Sequence, residues 1–265
     1  MKQSLPLFNH DLDAPTIFSP KSLVESVRTN KQLKPGPIPP VCVLEFDGDL
    51  TDWLVSTGKM KPCKSWACFH TTMYSLELEG FTCGIVPRTI GGPYAVLIAE
   101  QMAISGARVV LGLTSAGRVN SKMPVPGLLV ITSAIRDEGT SYHYLPPSQS
   151  VDAPTKVAQF LKEELKTLPL PVLSGTVWST DAPYRETQRE LEAYATRGVL
   201  AVEMQAASLF AFSKKRHFPV GIAAYVTNRV GQTGEPFDKG TRKLEFDILK
   251  RVCYAGNRFV LSSST

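Results

Sequence analysis

The stretch FTCGIVPRTIGGPYAVLIAEQMAISGARVVLGL, residues 81–113, decides the fold class. The compact apolar run Phe81–Val86 predicts a strand, and the β-branched run Arg108–Leu113 predicts another. Between them, apolar residues at helical spacing predict a helix over Ala95–Ser105, with Gly106 at the position of a C-cap. A strand, a helix and a strand in this order favour an α/β fold in which helices flank the sheet.

Strand-like and helix-like runs alternate through most of the chain. Further strands are predicted over Val41–Phe46, Ser75–Glu79, Leu128–Ala134, Val172–Trp178 and Val220–Thr227, and helices over about residues 184–196, 202–216 and 238–252. The second of these strands forms a hairpin with Phe81–Val86 across Glu79-Gly80. We therefore expect a mixed or mostly parallel sheet with helices against it.

Residues 1–40 differ in composition from the remainder of the chain. They are rich in proline and polar residues and end in Pro35-Gly36-Pro37-Ile38-Pro39-Pro40. Because proline fixes φ and removes a backbone donor, this segment is predicted to be an extended arm, with one short helix over Ser19–Arg28. Residues 41–265 are predicted to form one α/β domain.

Composition excludes several classes of protein. The 265 residues are 43% hydrophobic and 20% charged, which is typical of a single large globular domain. The net charge of +5 is mild and the basic residues are scattered apart from Lys214-Lys215-Arg216, so nucleic-acid binding is not indicated. No apolar run reaches the ~18 residues of a membrane span and no signal pattern is present, so we expect a cytoplasmic protein without membrane contacts.

The five cysteines do not indicate a disulfide framework, because their number is odd and their spacing irregular. Cys63 and Cys68 have only His70 nearby and lack a second pair of ligands. Free thiols are therefore favoured over a zinc site, and no metal site is predicted.

Ligands of such folds gather where strands end, so the segments after the strands hold the candidate residues. After Phe81–Val86, Arg88 precedes Gly91 and Gly92 at a helix start, where free N–H groups can bind an anion; a tight structural turn explains the glycines equally well. After the next strand, Thr114 and Ser115 can donate hydrogen bonds to phosphate, or simply belong to a polar loop.

Two later segments also carry polar side chains. Tyr184, Arg185 and Gln188 follow Asp181 and can line a pocket for a flat polar base, although Asp181 can equally serve as a helix cap. Glu203 is predicted to lie inside an apolar helix start, where a carboxylate is costly unless it is hydrogen-bonded. This cost makes Glu203 a better candidate than any single histidine.

Several segments resemble a known family when they are taken in order: Ile90-Gly91-Gly92-Pro93, Ile135–Tyr144, Ser179-Thr180-Asp181 and Val202-Glu203-Met204-Gln205-Ala206-Ala207. Over about residues 41–252 the chain resembles the nucleoside phosphorylases, and it is nearest to their uridine phosphorylase branch. The resemblance implies a three-layer α/β/α sandwich with a mixed, partly barrel-like central sheet, and assembly into a homo-oligomer, either a dimer or a hexamer. It also implies cleavage of a nucleoside by phosphate, which yields free base and ribose 1-phosphate.

The resemblance assigns expected roles to the candidate residues. The catalytic set is Glu203, Gln205, Asn228 and Arg88; the ribose is held by Met204, Gln205 and His10, the last from a neighbouring subunit's arm. The base contacts Tyr184, Arg185, Gln188, Asn228 and Arg229, and the phosphate or other nucleophile contacts Arg88, Gly91, Gly92, Thr114 and Ser115. An amide at Asn228 can bind a carbonyl-bearing base but is no strong acid, which favours a pyrimidine or a 6-oxopurine. No cofactor is implied beyond inorganic phosphate as co-substrate.

The sequence departs from the family at the phosphate site. Asp52, in Gly48-Asp49-Leu50-Thr51-Asp52, stands where relatives carry an arginine, and Gly112 replaces a second one. The arginine usually supplied by a neighbouring subunit falls near Phe69 or His70. All three expected phosphate cations are therefore missing, although paired arginines are what makes phosphate binding strong.

Three interpretations remain open from these departures. Arg88 or Arg118, which lie beside the same segments, can have taken over the phosphate. Alternatively water replaces phosphate, which makes the protein a nucleosidase. In the third interpretation the fold binds a nucleoside without cleaving it.

Overall fold

The structure is a computed structural model that describes residues 5–230 and 240–263, and of Arg229 only the backbone. Its α-helices are α1 Pro20–Asn30, α2 Asp49–Ser56, α3 Gly92–Ser105, α4 Thr155–Leu165, α5 Gln188–Thr196, α6 Ala206–Arg216 and α7 Arg242–Ser262. Its strands are β1 Val41–Glu45, β2 Met60–Pro62, β3 Tyr74–Leu78, β4 Phe81–Pro87, β5 Val109–Arg118, β6 Gly127–Asp137, β7 Ser150–Asp152, β8 Val172–Thr180, β9 Ala201–Glu203 and β10 Val220–Arg229. Short 3₁₀ turns span Pro6–Phe8, Thr140–His143 and Pro183–Arg185.

The strands form one mixed sheet that closes on itself over half of its width. β1 pairs in parallel with both β4 and β5, so the strand–helix–strand unit predicted from residues 81–113 is present. β5 also pairs with β10 and with β9, while β6 and β8 complete the ring in the order β5-β10-β6-β8-β9. This ring is the partly barrel-like sheet that the resemblance implied, and the predicted fold class is confirmed.

Helices cover both faces of the sheet. On one face α3 and α6 bury Ile98, Met102 and Phe210 against it, and on the other α2, α4 and α7 bury residues such as Leu161 and Val252. Each fully buried side chain of this size contributes about 1.5–3 kcal/mol through removal from water. The molecule therefore has the three predicted layers.

Two strands run further than the sequence predicted. β5 extends to Arg118, so Thr114 and Ser115 lie in a strand and not in a loop. The strand continues because it pairs with β10, where Tyr225 is the register partner of Ser115. The hydrogen bonds between paired strands come from the backbone, so polar residues can take part in them as well as apolar ones. β8 likewise extends to Thr180, because it pairs with β6 up to that residue.

The predicted helix over 202–216 was wrong at its start. Ala201 and Val202 pair with β5 and β8, so this segment is the short strand β9, and α6 begins only at Ala206. Glu203 consequently ends a strand instead of lying inside a helix.

The predicted helix over 184–196 begins four residues late, and Asp181 does not cap it. Thr187 is the N-cap of α5, since it forms a reciprocal capping box with Glu190. The Asp181 carboxylate instead accepts a hydrogen bond of 2.8 Å from the backbone N–H of Gly139.

Helices α2 and α4 were not predicted, and α7 extends ten residues beyond the predicted end at 252. The first two residues of the predicted helix over 238–252 lie outside the described part of the chain. The short helix predicted over Ser19–Arg28 is α1, with Ser19 as its N-cap.

The N-terminal arm packs against its own chain. Val24 and Val27 of α1 are buried beside Ala67, and the ring of Phe8 lies edge-on to Tyr142 with the ring centres 5.2 Å apart. All five cysteines are free thiols, four of them buried. Within 5–230 and 240–263, no helix has the length and apolar character needed to cross a bilayer.

Candidate active site

A small cavity lies where β1, β5 and β10 end, and we call it the strand-end cavity. Its volume is about 30 Å³, and α2 and α7 close its sides through Leu50 and Ile248. Its polar lining consists of three acidic side chains and four hydroxyl-bearing side chains. The acids are Glu45, Asp47 and Glu245, and the hydroxyl-bearing residues, all in β5 or β10, are Thr114, Ser115, Tyr225 and Thr227. The cavity thus occupies the edge of the sheet where the predicted phosphate residues Thr114 and Ser115 lie.

The hydroxyl groups predicted to bind phosphate have partners within the protein. Ser115 Oγ lies 2.9 Å from Asp47 Oδ1 and donates to this carboxylate. Thr114 Oγ1 donates to the carbonyl of Ser115 at 2.7 Å. A carboxylate therefore accepts the hydrogen bond that Ser115 was expected to offer to a phosphate.

Glu45 holds the turn that carries Asp47. It ends β1 with only 3% of its surface exposed, and its carboxylate accepts from Gly48 N at 2.8 Å and from Thr51 Oγ1 at 2.9 Å. Burial raises the pKa of Glu45 to about 7, opposed by these hydrogen bonds and reinforced by the negative charge of Asp47. Gly48 has φ +88°, a conformation that a side chain at this position would strain.

Arg88 lies beside the cavity but is paired with an acid. Its guanidinium forms an ion pair with Asp52, the acid that stands where relatives carry a phosphate-binding arginine. A side chain at Gly48 would collide with Arg88, since a Cβ there would lie 2.3 Å from Arg88 Cγ. Arg88 therefore covers the 48–52 turn and neutralises Asp52.

Gly91 and Gly92 begin α3. Gly91 has φ +88° and is the N-cap. A Cβ on Gly92 would lie 2.1 Å from Ser208 Oγ, so the absence of a side chain lets α3 approach α6. These contacts account for both glycines structurally, and anion binding at this helix start stays a prediction.

The Glu203 carboxylate binds the start of α6. It accepts backbone hydrogen bonds from Gln205 at 2.7 Å and Ala206 at 2.8 Å, and a third hydrogen bond from Ser179 Oγ. Burial raises the pKa of Glu203 to about 7, although the three hydrogen bonds favour its charged form. The three hydrogen bonds thus offset the cost of burying this acid. Because two of them come from the backbone just after β9, Glu203 also positions Met204 and Gln205. Gln205 Oε1 accepts from Met204 N at 2.9 Å.

Sheet register brings the predicted ribose and base residues to the end of β5. Gly117 of β5 has Val202 of β9 as partner on one side and Asn228 of β10 on the other. Met204 and Gln205 follow directly after β9. Ser115 precedes Gly117 by two residues, which is about 7 Å along a strand. Asn228 Nδ2 donates to Thr227 Oγ1 at 2.7 Å.

The other residues predicted to contact the nucleobase do not all lie near the end of β5. Arg185 lines a cleft of about 410 Å³ beside Trp178 and Asp181. Tyr184, in contrast, is fully exposed, and Gln188 Nε2 donates to Glu192 along the surface of α5. Arg229 ends β10, but its side chain lies outside the described residues.

His10 lies against the 3₁₀ turn of its own chain. Its ring centre is 4.1 Å from that of His143, and the rings are tilted by 36°. Burial, and then the neighbouring His10, lower the pKa of His143. Contact of His10 with the ribose in a neighbouring subunit stays a prediction.

Sequence reasoning missed the acidic lining of the strand-end cavity. Asp47 directly follows the predicted strand Val41–Phe46, which is the criterion that selected the other candidates, so it carried a usable signal; Glu45 is the last residue of β1. Glu245 and Tyr225 carried none, because their contribution depends on how α7 and β10 pack against β1.

The sequence pattern of the Phosphorylase superfamily matches residues 41–251. Uridine phosphorylase of Escherichia coli is 24% identical over 214 residues, covering 76% of this chain and 85% of that protein. Guanosine phosphorylase of Halorubrum lacusprofundi is 26% identical over 147 residues, which are 54% of this chain and 59% of that one. The crystal structure of uridine phosphorylase from Vibrio fischeri superposes with a TM-score of 0.67 and 19% identity, covering 84% of this chain and 91% of that one. The chain therefore belongs to the phosphorylase superfamily and has the fold of a nucleoside phosphorylase.

Proposed function

We propose that this protein cleaves the N-glycosidic bond of a nucleoside whose base is a pyrimidine or a 6-oxopurine. The observation that carries the proposal is the pairing of Gly117 with Val202 of β9 on one side and with Asn228 of β10 on the other, since Met204 and Gln205 follow β9 directly. The names of similar proteins, uridine and guanosine phosphorylases, support the same class of substrate.

The proposed reaction needs few groups from the protein. As the bond between C1′ and the base nitrogen lengthens, positive charge develops on the ribose, and the site has to hold the sugar while the base departs. Met204 packs on the sugar and Gln205 binds its hydroxyls, while the Asn228 amide donates to a carbonyl of the base. Arg185 and Arg229 are further candidates for the base, and no cofactor is required.

The nucleophile is the finer part of the proposal. The similar proteins are named phosphorylases, which supports inorganic phosphate as the co-substrate and ribose 1-phosphate as the product. Hydrolysis is the second candidate, and a specific observation favours it: Ser115 donates to Asp47 in a cavity that Glu45 and Glu245 also line.

The test is a panel of nucleosides assayed for release of free base, each with and without inorganic phosphate. We expect release from uridine, inosine or guanosine. Gln205→Ala should lower kcat/KM about 100-fold, because a buried contact to the sugar is lost. Gln159→Ala, an exposed amide on α4, is the matched control and should leave the rate unchanged. Absence of release from every nucleoside in both conditions would overturn the proposal.

A further inference from the structure

The strand-end cavity is large enough to hold water. Its volume of about 30 Å³ exceeds the ~10–15 Å³ that one water molecule needs. The cavity therefore has room for a water molecule or two, at the end of the strand that carries Ser115.

The charge of the cavity opposes an anion. Glu45, Asp47 and Glu245 line it, and none of its described lining residues carries a positive charge. Two cations that contact the cavity lining or the 48–52 turn are already paired, since Arg242 lies 2.9 Å from Asp49 and 2.8 Å from Glu245, and Arg88 binds Asp52. A phosphate dianion brought among these carboxylates would be repelled, whereas a neutral nucleophile would not.

We propose that the strand-end cavity holds the attacking water and that Asp47 is the general base that removes its proton. This inference rests on the proposed function and names the nucleophile for it. Ser115 fixes the base, because its hydroxyl donates to Asp47 Oδ1 at 2.9 Å. Asp47 is half-buried, so its carboxylate can contact both the protein and a bound water.

The step is balanced without any further reactant. The water oxygen forms a bond to C1′ of the ribose as the bond from C1′ to the base nitrogen breaks, and the electron pair of that bond leaves with the base. One water proton passes to Asp47 and the other stays on the new hydroxyl group of the sugar. The proton on Asp47 is then released and the departing base is protonated, which yields ribose and free base.

Other groups of the cavity act on Asp47 rather than on the substrate. Glu45 is a positioning residue, since its hydrogen bonds to Gly48 and Thr51 shape the turn on which Asp47 stands. Glu245 faces the cavity from α7 and is held by Arg242. Where Glu45 is ionised, its negative charge beside Asp47 favours proton transfer to Asp47.

The first experiment identifies the sugar product. Purified protein is incubated with the nucleoside that the panel selects, in phosphate-free buffer and in phosphate buffer, and the sugar is analysed by NMR. We expect free ribose in both buffers, at equal rates. Ribose 1-phosphate formed only in phosphate buffer would overturn this inference while leaving the proposed glycosidic cleavage intact.

The second experiment tests the base. Asp47→Asn should lower kcat about 100-fold or more with little change in KM, since general base catalysis contributes ~10²–10⁴-fold. Asp47→Ala should regain part of its activity when formate is added, because this small carboxylate can replace the missing base. Activity lost through a structural defect would not be restored by formate. Ser115→Ala should lower kcat less, about 10-fold, because the base remains but loses its orientation.

Asp152→Asn, an exposed carboxylate on β7, is the matched control and should retain the wild-type rate. Circular dichroism establishes that each variant is folded. Folded Asp47→Asn protein with wild-type hydrolysis would overturn the assignment of the base. No cleavage by the wild-type protein in either buffer would instead overturn the proposed function, and this inference with it.

Discussion

At the residue scale, buried acids determine the character of the site. Glu203 was selected from the sequence because a carboxylate among apolar residues is costly. Its partners prove to be backbone N–H groups of Gln205 and Ala206 and the hydroxyl of Ser179. Sequence reasoning thus found an important residue, but its observed contacts are those of a positioning group and not of one facing a substrate.

The raised pKa of Glu203 makes stability depend on pH. Its pKa of about 7 in the folded protein exceeds the ordinary 4.5, so the stability it contributes is present below pH 4.5 and is lost as pH rises through about 7. The loss amounts to about 3 kcal/mol at most, since each tenfold change in proton affinity corresponds to about 1.4 kcal/mol. Urea unfolding should therefore show wild-type protein less stable at about pH 8 than at about pH 5.

Glu203→Gln should reduce this difference between the two pH values, because the amide does not titrate. Part of the difference should remain, since the pKa of Glu45 is raised to about 7 as well. Glu79→Gln, in the exposed β3–β4 turn, should behave like the wild type. An unchanged pH dependence in Glu203→Gln would contradict the burial argument.

At the element scale, pairing and packing decided what periodicity could not. Hydrophobic patterns located β1, β3, β4 and α3 correctly, because these elements alternate or repeat over enough residues to be read locally. They ended β5 too early and mistook β9 for a helix. Polar residues remain in these strands because the neighbouring strands supply their hydrogen bonds, which no local pattern records.

The contact between α3 and α6 depends on one glycine. A Cβ at Gly92 would lie 2.1 Å from Ser208 Oγ, so Gly92→Ala forces the two helices apart or displaces the serine. We expect a loss of about 1–3 kcal/mol in the free energy of unfolding, measured by urea denaturation.

Two further variants test the cause of that loss. Gly36→Ala, whose added Cβ would meet its nearest atom at 3.7 Å, should change stability only slightly. Ser208→Gly removes the colliding hydroxyl but also its hydrogen bond to Glu138, so this single variant is the reference for the double variant. Gly92→Ala should cost less in the Ser208→Gly background than in the wild type, and an equal cost in the two backgrounds would show that the steric explanation is wrong.

At the scale of the whole molecule, apolar side chains remain exposed on one region of the surface. Leu97 and Ile104 lie seven residues apart on α3, which places them on the same stripe of the helix. Ile17 and Phe18 of the arm are exposed as well, and Phe18 lines a groove with Leu97. Such a surface suits burial against another subunit, in keeping with the expected homo-oligomer.

We expect sedimentation velocity to give a mass of at least two chains. Ile104→Glu should shift the distribution toward the monomer, because a charge is costly to bury in an interface. Leu261→Glu, near the end of α7, alters another exposed apolar residue elsewhere on the surface and should leave the assembly unchanged. A monomeric wild-type protein would contradict the prediction.

The sequence by itself determined the alternation of strands and helices, the family resemblance and most residues around the end of β5. The strands and helices follow from local periodicity. The family resemblance follows from short segments and from their order along the chain. Only the tertiary structure decided which strands close the sheet, with β5 paired to both β9 and β10, and which acids line the cavity at the strand ends. Asp47 and Ser115 are 68 residues apart in sequence yet share a hydrogen bond, because β1 and β5 are neighbours in the sheet. Charges that meet in this way are set by strand pairing, and the local sequence around either residue does not record it.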